Sequence, residues 1–111
     1  MNEKDAIYAL AALAQEHRLR IFRMLVKEIP VGMAAGEIAE RIGIAPSALS
    51  FHLSHLERSG LLQAKRNKRH IIYSVETEGM RRLLAFLSED CCHGRPEICG
   101  GLPRLAETTE A

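Results

Sequence analysis

The stretch Gly36–Val75, GEIAERIGIAPSALSFHLSHLERSGLLQAKRNKRHIIYSV, decides the fold. Over Gly36–Ile42, Ile38, Ala39 and Ile42 recur at helical spacing, and Gly43 closes that helix. Ala45-Pro46 opens the next one, with proline at a position the first turn tolerates. Ser47–Ser59 then has two faces. Leu49, Leu53 and Leu56 form an inward stripe, while Ser47, Ser50, Ser54 and Arg58 lie opposite it. Gly60 stops the helix. Leu61–Arg66 and Arg69–Val75 are two strand-like runs joined at Asn67-Lys68, and Lys65, Arg66, Lys68 and Arg69 crowd that tip. The series is helix, tight turn, helix with small polar residues on its face, then basic hairpin. It is that of a winged helix-turn-helix, and it suits the major groove of double-stranded DNA and its flanking phosphates.

The 111 residues allow one modest core. No apolar run is long enough to span a bilayer, and the N-terminus has no signal-peptide layout, so a cytoplasmic protein with no membrane partner is expected. The net charge of +1 decides nothing, but its distribution does. Residues 1–75 carry eleven Lys/Arg against seven Asp/Glu, whereas residues 76–111 carry four against seven. The basic part is the part with the helix-turn-helix, as phosphate binding requires. The excess is small, which predicts two subunits acting together.

Asp5–Ala14 is helical and almost wholly apolar. A helix apolar all round must be covered all round, so it is either an ordinary core helix or a contact with a second subunit. Glu16–Lys27 is amphipathic, with Leu19, Phe22, Leu25 and Val26 expected inside and Arg18, Arg20, Arg23 and Lys27 outside. Ile29–Ala35 reads as a loop. Thr77 caps a last helix running to about Asp90, with Met80, Leu83, Leu84 and Leu87 as its stripe. The expected fold is mainly α with a β-hairpin wing, in the order α-α-α-α-β-β-α, with the terminal helices available for homodimerisation. Residues 1–90 form the DNA-binding and dimerisation domain. Residues 91–111 form a cysteine-bearing effector segment and a tail.

Several residues of the DNA face leave more than one reading open. Serines at 47, 50 and 54 let a helix sit deep in the groove without dictating sequence. Phe51 either touches a thymine methyl or packs under the wing, and packing is the expectation. His52 and His55 either donate to phosphates or are structural. His17 and His70 carry no functional reading. Lys65, Arg66, Lys68 and Arg69 fit phosphate or minor-groove contact. The tip lacks the glycine that a two-residue hairpin prefers, so a longer or less regular wing is expected.

The segments EHRLRIFRML, GEIAERIG, PSALSFHLSHLERSGLL and IIYSV, taken in this order, resemble the ArsR-type family of winged-helix repressors over roughly residues 5–90. The resemblance implies a homodimer joined by its first and last helices, which represses a metal- or metalloid-resistance operon and leaves the operator when ligand binds. Family members place their ligands differently. One type has a Cys-x-Cys pair before the recognition helix, where this chain has Ala34 and Gly36. Another has histidines on the last helix, where Thr77–Asp90 has none. A vicinal pair, Cys91-Cys92, with Cys99 downstream is similar to the arsenite-responsive variant.

The chemistry of the three thiols agrees. Three cysteines are an odd number, which argues against a disulfide framework. Thiolates are soft and select soft acceptors, and trivalent arsenic or antimony takes three of them. Gly94 and Pro96 can turn the chain so that Cys99 approaches the pair at modest entropic cost. His93 is a possible fourth ligand, which keeps Zn, Cd or Pb open, and thiol oxidation is the other rival. No cofactor is expected for DNA binding, with As(III) or Sb(III) as the inducer. A cysteine-tail metal carrier is a further alternative, but it has no use for the helix-turn-helix. A cysteine-dependent phosphatase or arsenate reductase needs arginine six residues after the nucleophile. Glu97, Ile98 and Leu105 occupy those places, so no enzyme is expected.

Overall fold

The computed structural model describes residues 1–92, and their side chains as far as Ser88. Helix α1 (Glu3–Leu13) starts at Asn2, whose Oδ1 accepts the Asp5 N–H at 2.8 Å. Its inner face is alanine: Ala6, Ala9 and Ala12 are buried, and such small side chains let the backbone approach its neighbours. Its other face leaves Ile7, Tyr8 and Leu10 exposed, with Ile7 at 59%. A single subunit therefore covers only part of this apolar helix.

Helix α2 (Glu16–Val26) is capped by Gln15, whose Oε1 accepts the Arg18 N–H at 3.0 Å. Its buried face is Arg18, Ile21, Phe22 and Leu25. This corrects the expected orientation: Arg18 lies inside, and Leu19 and Val26 are exposed. Positions 18, 21, 22 and 25 form one i, i+3, i+4, i+7 stripe, and the aliphatic stem of Arg18 completes it.

The expected loop at 29–35 contains a short strand, β1 (Met33–Ala34), followed at once by α3 (Ala35–Ile42). Gly32, at φ +83°, permits this, because a Cβ there would collide with the Tyr73 carbonyl. Gly43 ends α3 in the left-handed conformation, donating to Ala39 O at 2.8 Å. Helix α4 (Pro46–Arg58) follows with Pro46 in its first turn, and Leu49, Leu53 and Leu56 are buried in the core as expected.

Strands β2 (Leu62–Asn67) and β3 (His70–Val75) form the hairpin, and the antiparallel sheet runs β1-β3-β2. Asn67 pairs with His70, so the turn is Lys68-Arg69, one residue later than expected and tight rather than long. Lys68 itself takes φ +58° in place of a glycine, a conformation that costs a side-chain-bearing residue about 1 kcal/mol. Burial falls steadily from Leu62 and Val75 at the base to full exposure at the tip, so the hairpin projects as a wing.

The last helix, α5 (Thr77–Cys92), begins after Glu76, whose Oε1 accepts the Glu78 N–H at 3.2 Å. Glu76 rather than Thr77 therefore supplies the cap. Leu83 is buried, with Met80, Phe86 and Leu87 packed on the core. The helix continues past Asp90, so Cys91 and Cys92 form its end rather than following it. Among the described residues, no helix is long and apolar enough to cross a membrane.

Candidate nucleic-acid interface

The 3.6-residue period gives α4 an exposed polar face opposite its leucine stripe. Ser47, Ser50, Phe51, Ser54 and Arg58 fall on one side of the helix and are all exposed. Phe51 is 60% exposed, where packing under the wing was expected, and its ring stands edge-on to those of His52 and His55 at 5.6 and 6.4 Å. Its position, four after Ser47 and three before Ser54, sets it among the serines and away from the leucine stripe. Arg58 makes only a long contact, 3.4 Å, to Ser54 O at the end of the same face.

His52 and His55 lie on the flank between the two faces and are half-buried. The Nδ1 of His52 is 3.2 Å from an Arg18 Nη1. The His17 ring is 5.5 Å from His52, and the Tyr8 ring is 5.7 Å from His55. Burial, then the positive charge of Arg18, then that of His17 and His55, push the His52 pKa below the usual imidazole range. Burial, Arg18 and Arg58 do the same to His55. Both rings therefore favour the neutral form. Sequence reasoning missed Arg18 and set His17 aside. The signal for Arg18 was its register with Ile21 and Leu25.

Lys65, Arg66, Lys68 and Arg69 on the wing are exposed. Among the described residues, none of them is ion-paired. The contrast is with Arg20 and Arg41, which hold Glu16 and Glu37 at 2.9 and 3.1 Å. The wing cations thus keep their full charge for an anionic partner. The exposed serines of α4 and the exposed wing cations supply short hydrogen-bonding groups and free cations, the two kinds of group that duplex DNA requires.

Of the thiol positions, Cys91 and Cys92 occupy the last turn of α5. Cys99 and His93 lie outside the described residues. Ala34 is the N-cap of α3 and Gly36 is in its first turn, so neither supplies a ligand there. Among the described residues there is no group of three His, Cys, Asp or Glu side chains that could hold a metal ion.

Residues 13–63 match a family described as "Helix-turn-helix domain". The chain is 39% identical over 80 residues to the nodulation protein NolR of Rhizobium meliloti, covering 72% of this chain and 63% of that one, so it spans under two thirds of NolR. It is 30% identical over 91 residues to the transcriptional activator HlyU of Vibrio cholerae, covering 82% of each. The solved structure of reduced HlyU superposes with a TM-score of 0.62 at 32% identity, over 82% of this chain and 93% of that one. A homodimeric winged helix-turn-helix DNA-binding domain from Mycobacterium bovis, described as a possible ArsR-family regulator, superposes at 0.64 with 26% identity, over 83% and 86%. HlyU is described as a transcriptional activator and the Mycobacterium bovis domain as a possible transcriptional regulator, neither of them as an enzyme. The helix-turn-helix match, the 82% coverage at 30% identity and the winged-helix superposition assign the chain to the ArsR/HlyU family of DNA-binding transcriptional regulators.

Proposed function

We propose that this chain is a cytoplasmic homodimeric repressor that holds an inverted-repeat operator through α4 and the wing. It releases the operator when trivalent arsenic or antimony binds the thiolates of Cys91, Cys92 and Cys99. The observation that carries the reading is the position of the vicinal pair in the last turn of α5. The other end of that helix is tied to the segment after α4, where the Glu76 N–H donates to Leu61 O at 2.9 Å. Helix α5 also packs on α1, whose exposed Ile7, Tyr8 and Leu10 suit a second subunit. Ligand bound at one end of α5 would therefore bear on the dimer contact and on the spacing of the two recognition helices. Those helices must sit about 34 Å apart to enter successive major grooves. Release of most of the operator needs a coupling of about 3 kcal/mol, roughly 150-fold in affinity.

The test compares arsenite-induced operator release in the wild type and in Cys91→Ser/Cys92→Ser. The double variant should repress normally and no longer respond; equal release by both removes the site. Loss of Cys99 should be partly tolerated, because His93, water or a small thiol can complete the coordination. A second reading, thiol oxidation, draws on the HlyU relative, whose structure is described as a reduced form. Release by peroxide but not by arsenite, or by a divalent soft metal alone, would put one of those effectors in place of the metalloid.

A further inference from the structure

Arg18 is the one buried charged side chain among the described residues, at 9% exposure. Its Nε donates to the Ala12 carbonyl, in the last turn of α1, at 2.7 Å. One of its terminal nitrogens lies 3.2 Å from Nδ1 of His52 on α4. Among the described residues no carboxylate pairs with it. The direction of the Arg18–His52 hydrogen bond follows from chemistry alone. A guanidinium has only N–H donors and keeps its proton in proteins, so His52 Nδ1 must accept. A neutral imidazole that accepts at Nδ1 carries its hydrogen on Nε2, across the ring. His52 is half-exposed, and Nε2 has no partner among the described residues.

We propose that Arg18 is a positioning residue for DNA readout: by donating to Nδ1 it fixes His52 as a donor at Nε2, and His52 then recognises a hydrogen-bond acceptor on DNA. The acceptor is a phosphate oxygen or the O6/N7 edge of guanine, both of which take a hydrogen from a neutral donor. This rests on the proposal that the exposed face of α4 meets DNA. The groups around the ring are Arg18 and His17 from α2 and Phe51 and His55 from α4, with Tyr8 of α1 against His55. None is a carboxylate that would hold the ring charged. A proton on Nδ1 would break the Arg18 hydrogen bond and set two cations together, which is why the neutral donor persists. The same guanidinium holds the end of α1, so the orientation of His52 is referred to the helix predicted to dimerise.

The experiment combines nitrogen-15 NMR of the imidazoles in the full chain with operator titrations. At pH 7 the His52 ring should be neutral with its hydrogen on Nε2. His52→Phe should weaken operator binding about tenfold, whereas His52→Gln, whose amide nitrogen reaches the Nε2 position, should stay within about threefold. In Arg18→Met the ring should lose its fixed tautomer and take up a proton at higher pH than in the wild type, so that operator affinity changes as pH falls through the usual imidazole value of about 6.5. That variant also loses the Ala12 contact, so if it does not fold, the wild-type tautomer and the two His52 variants decide the matter. A salt slope lower by about one in His52→Phe identifies phosphate as the acceptor; an unchanged slope with altered preference at one base pair identifies guanine. A ring that is charged at pH 7, or that carries its hydrogen on Nδ1, overturns the proposal. So does wild-type affinity in His52→Phe while Arg66→Ala still weakens binding. If Arg66→Ala, Ser50→Ala and His52→Phe all bind as wild type, the DNA face itself is wrong and the proposal falls with it.

Discussion

The Cα of Gly79 abuts the carbonyl of Gly60: a Cβ added to Gly79 would lie 3.0 Å from the Gly60 carbonyl carbon and closer still to its oxygen. The start of α5 therefore rests on the turn that ends the recognition helix, with backbone against backbone. Alanine favours a helix over glycine by about 1 kcal/mol, but the neighbour here is a main-chain carbonyl that cannot swing aside. Gly79→Ala should cost about 1–3 kcal/mol net, lowering the melting temperature by roughly 4–8 °C per kcal/mol. A thermal melt that shows a stabilised variant would mean that α5 does not sit this close.

The wing prediction separates affinity from preference. Arg66→Ala and Lys68→Ala should each weaken binding to every sequence and lower the salt slope by about one, since each releases one set of counterions fewer. Ser50→Ala should instead change the ranking of operator variants. Fluorescence anisotropy at several salt concentrations, with operator and scrambled duplexes, reads both effects.

Self-association is predicted to run through the outer face of α1. Ile7→Glu places a charge at a side chain that is 59% exposed in one subunit, so it should leave the fold of the subunit intact while driving the dimer to monomer. Sedimentation at micromolar concentration should show the shift, and operator affinity should fall with it. A variant that remains dimeric would exclude this face.

The histidine pair predicts an acid-labile fold. Both pKa values are pushed down by burial and by Arg18, so below the usual value of about 6.5 the unfolded chain binds protons that the folded chain refuses. Their contribution to stability is complete above that value and is lost as pH falls from it towards the folded pKa values. Melting temperature should climb as pH rises towards the unfolded value of about 6.5 and flatten above it. In the His52→Gln/His55→Gln double variant this part of the climb should shrink.

The helix-turn-helix was legible because its signals are local. Gly43, Pro46 and Gly60 punctuate the chain, and Leu49, Leu53 and Leu56 give α4 its phase whatever surrounds it. Strand β1 was not legible, since two residues carry no period, and Met33–Ala34 is extended only because β3 lies alongside. Arg18 was misjudged because residue type outweighed register: it stands at the inward position, and only its two acceptors, Ala12 O and His52 Nδ1, make burial tolerable there. Phe51 was misjudged in the opposite sense: it was expected to pack under the wing, although its phase follows the exposed serines. The serine face and wing cations are where the sequence reading expected them, on the surface. Contact with DNA is a property of the complex and rests on the experiments above.

Among the described residues, the order β1-β3-β2 leaves one long edge without a paired strand, that of β2. An uncovered edge is a row of unpaired main-chain donors and acceptors that invites a strand from another molecule. Here the outer half of that edge carries Lys65 and Arg66, and the turn adds Lys68 and Arg69. When no DNA is bound, these charges would repel a second wing brought edge to edge. The same residues thereby guard the free protein against strand-to-strand aggregation, so wing variants made neutral to weaken DNA binding should also lose solubility at high concentration.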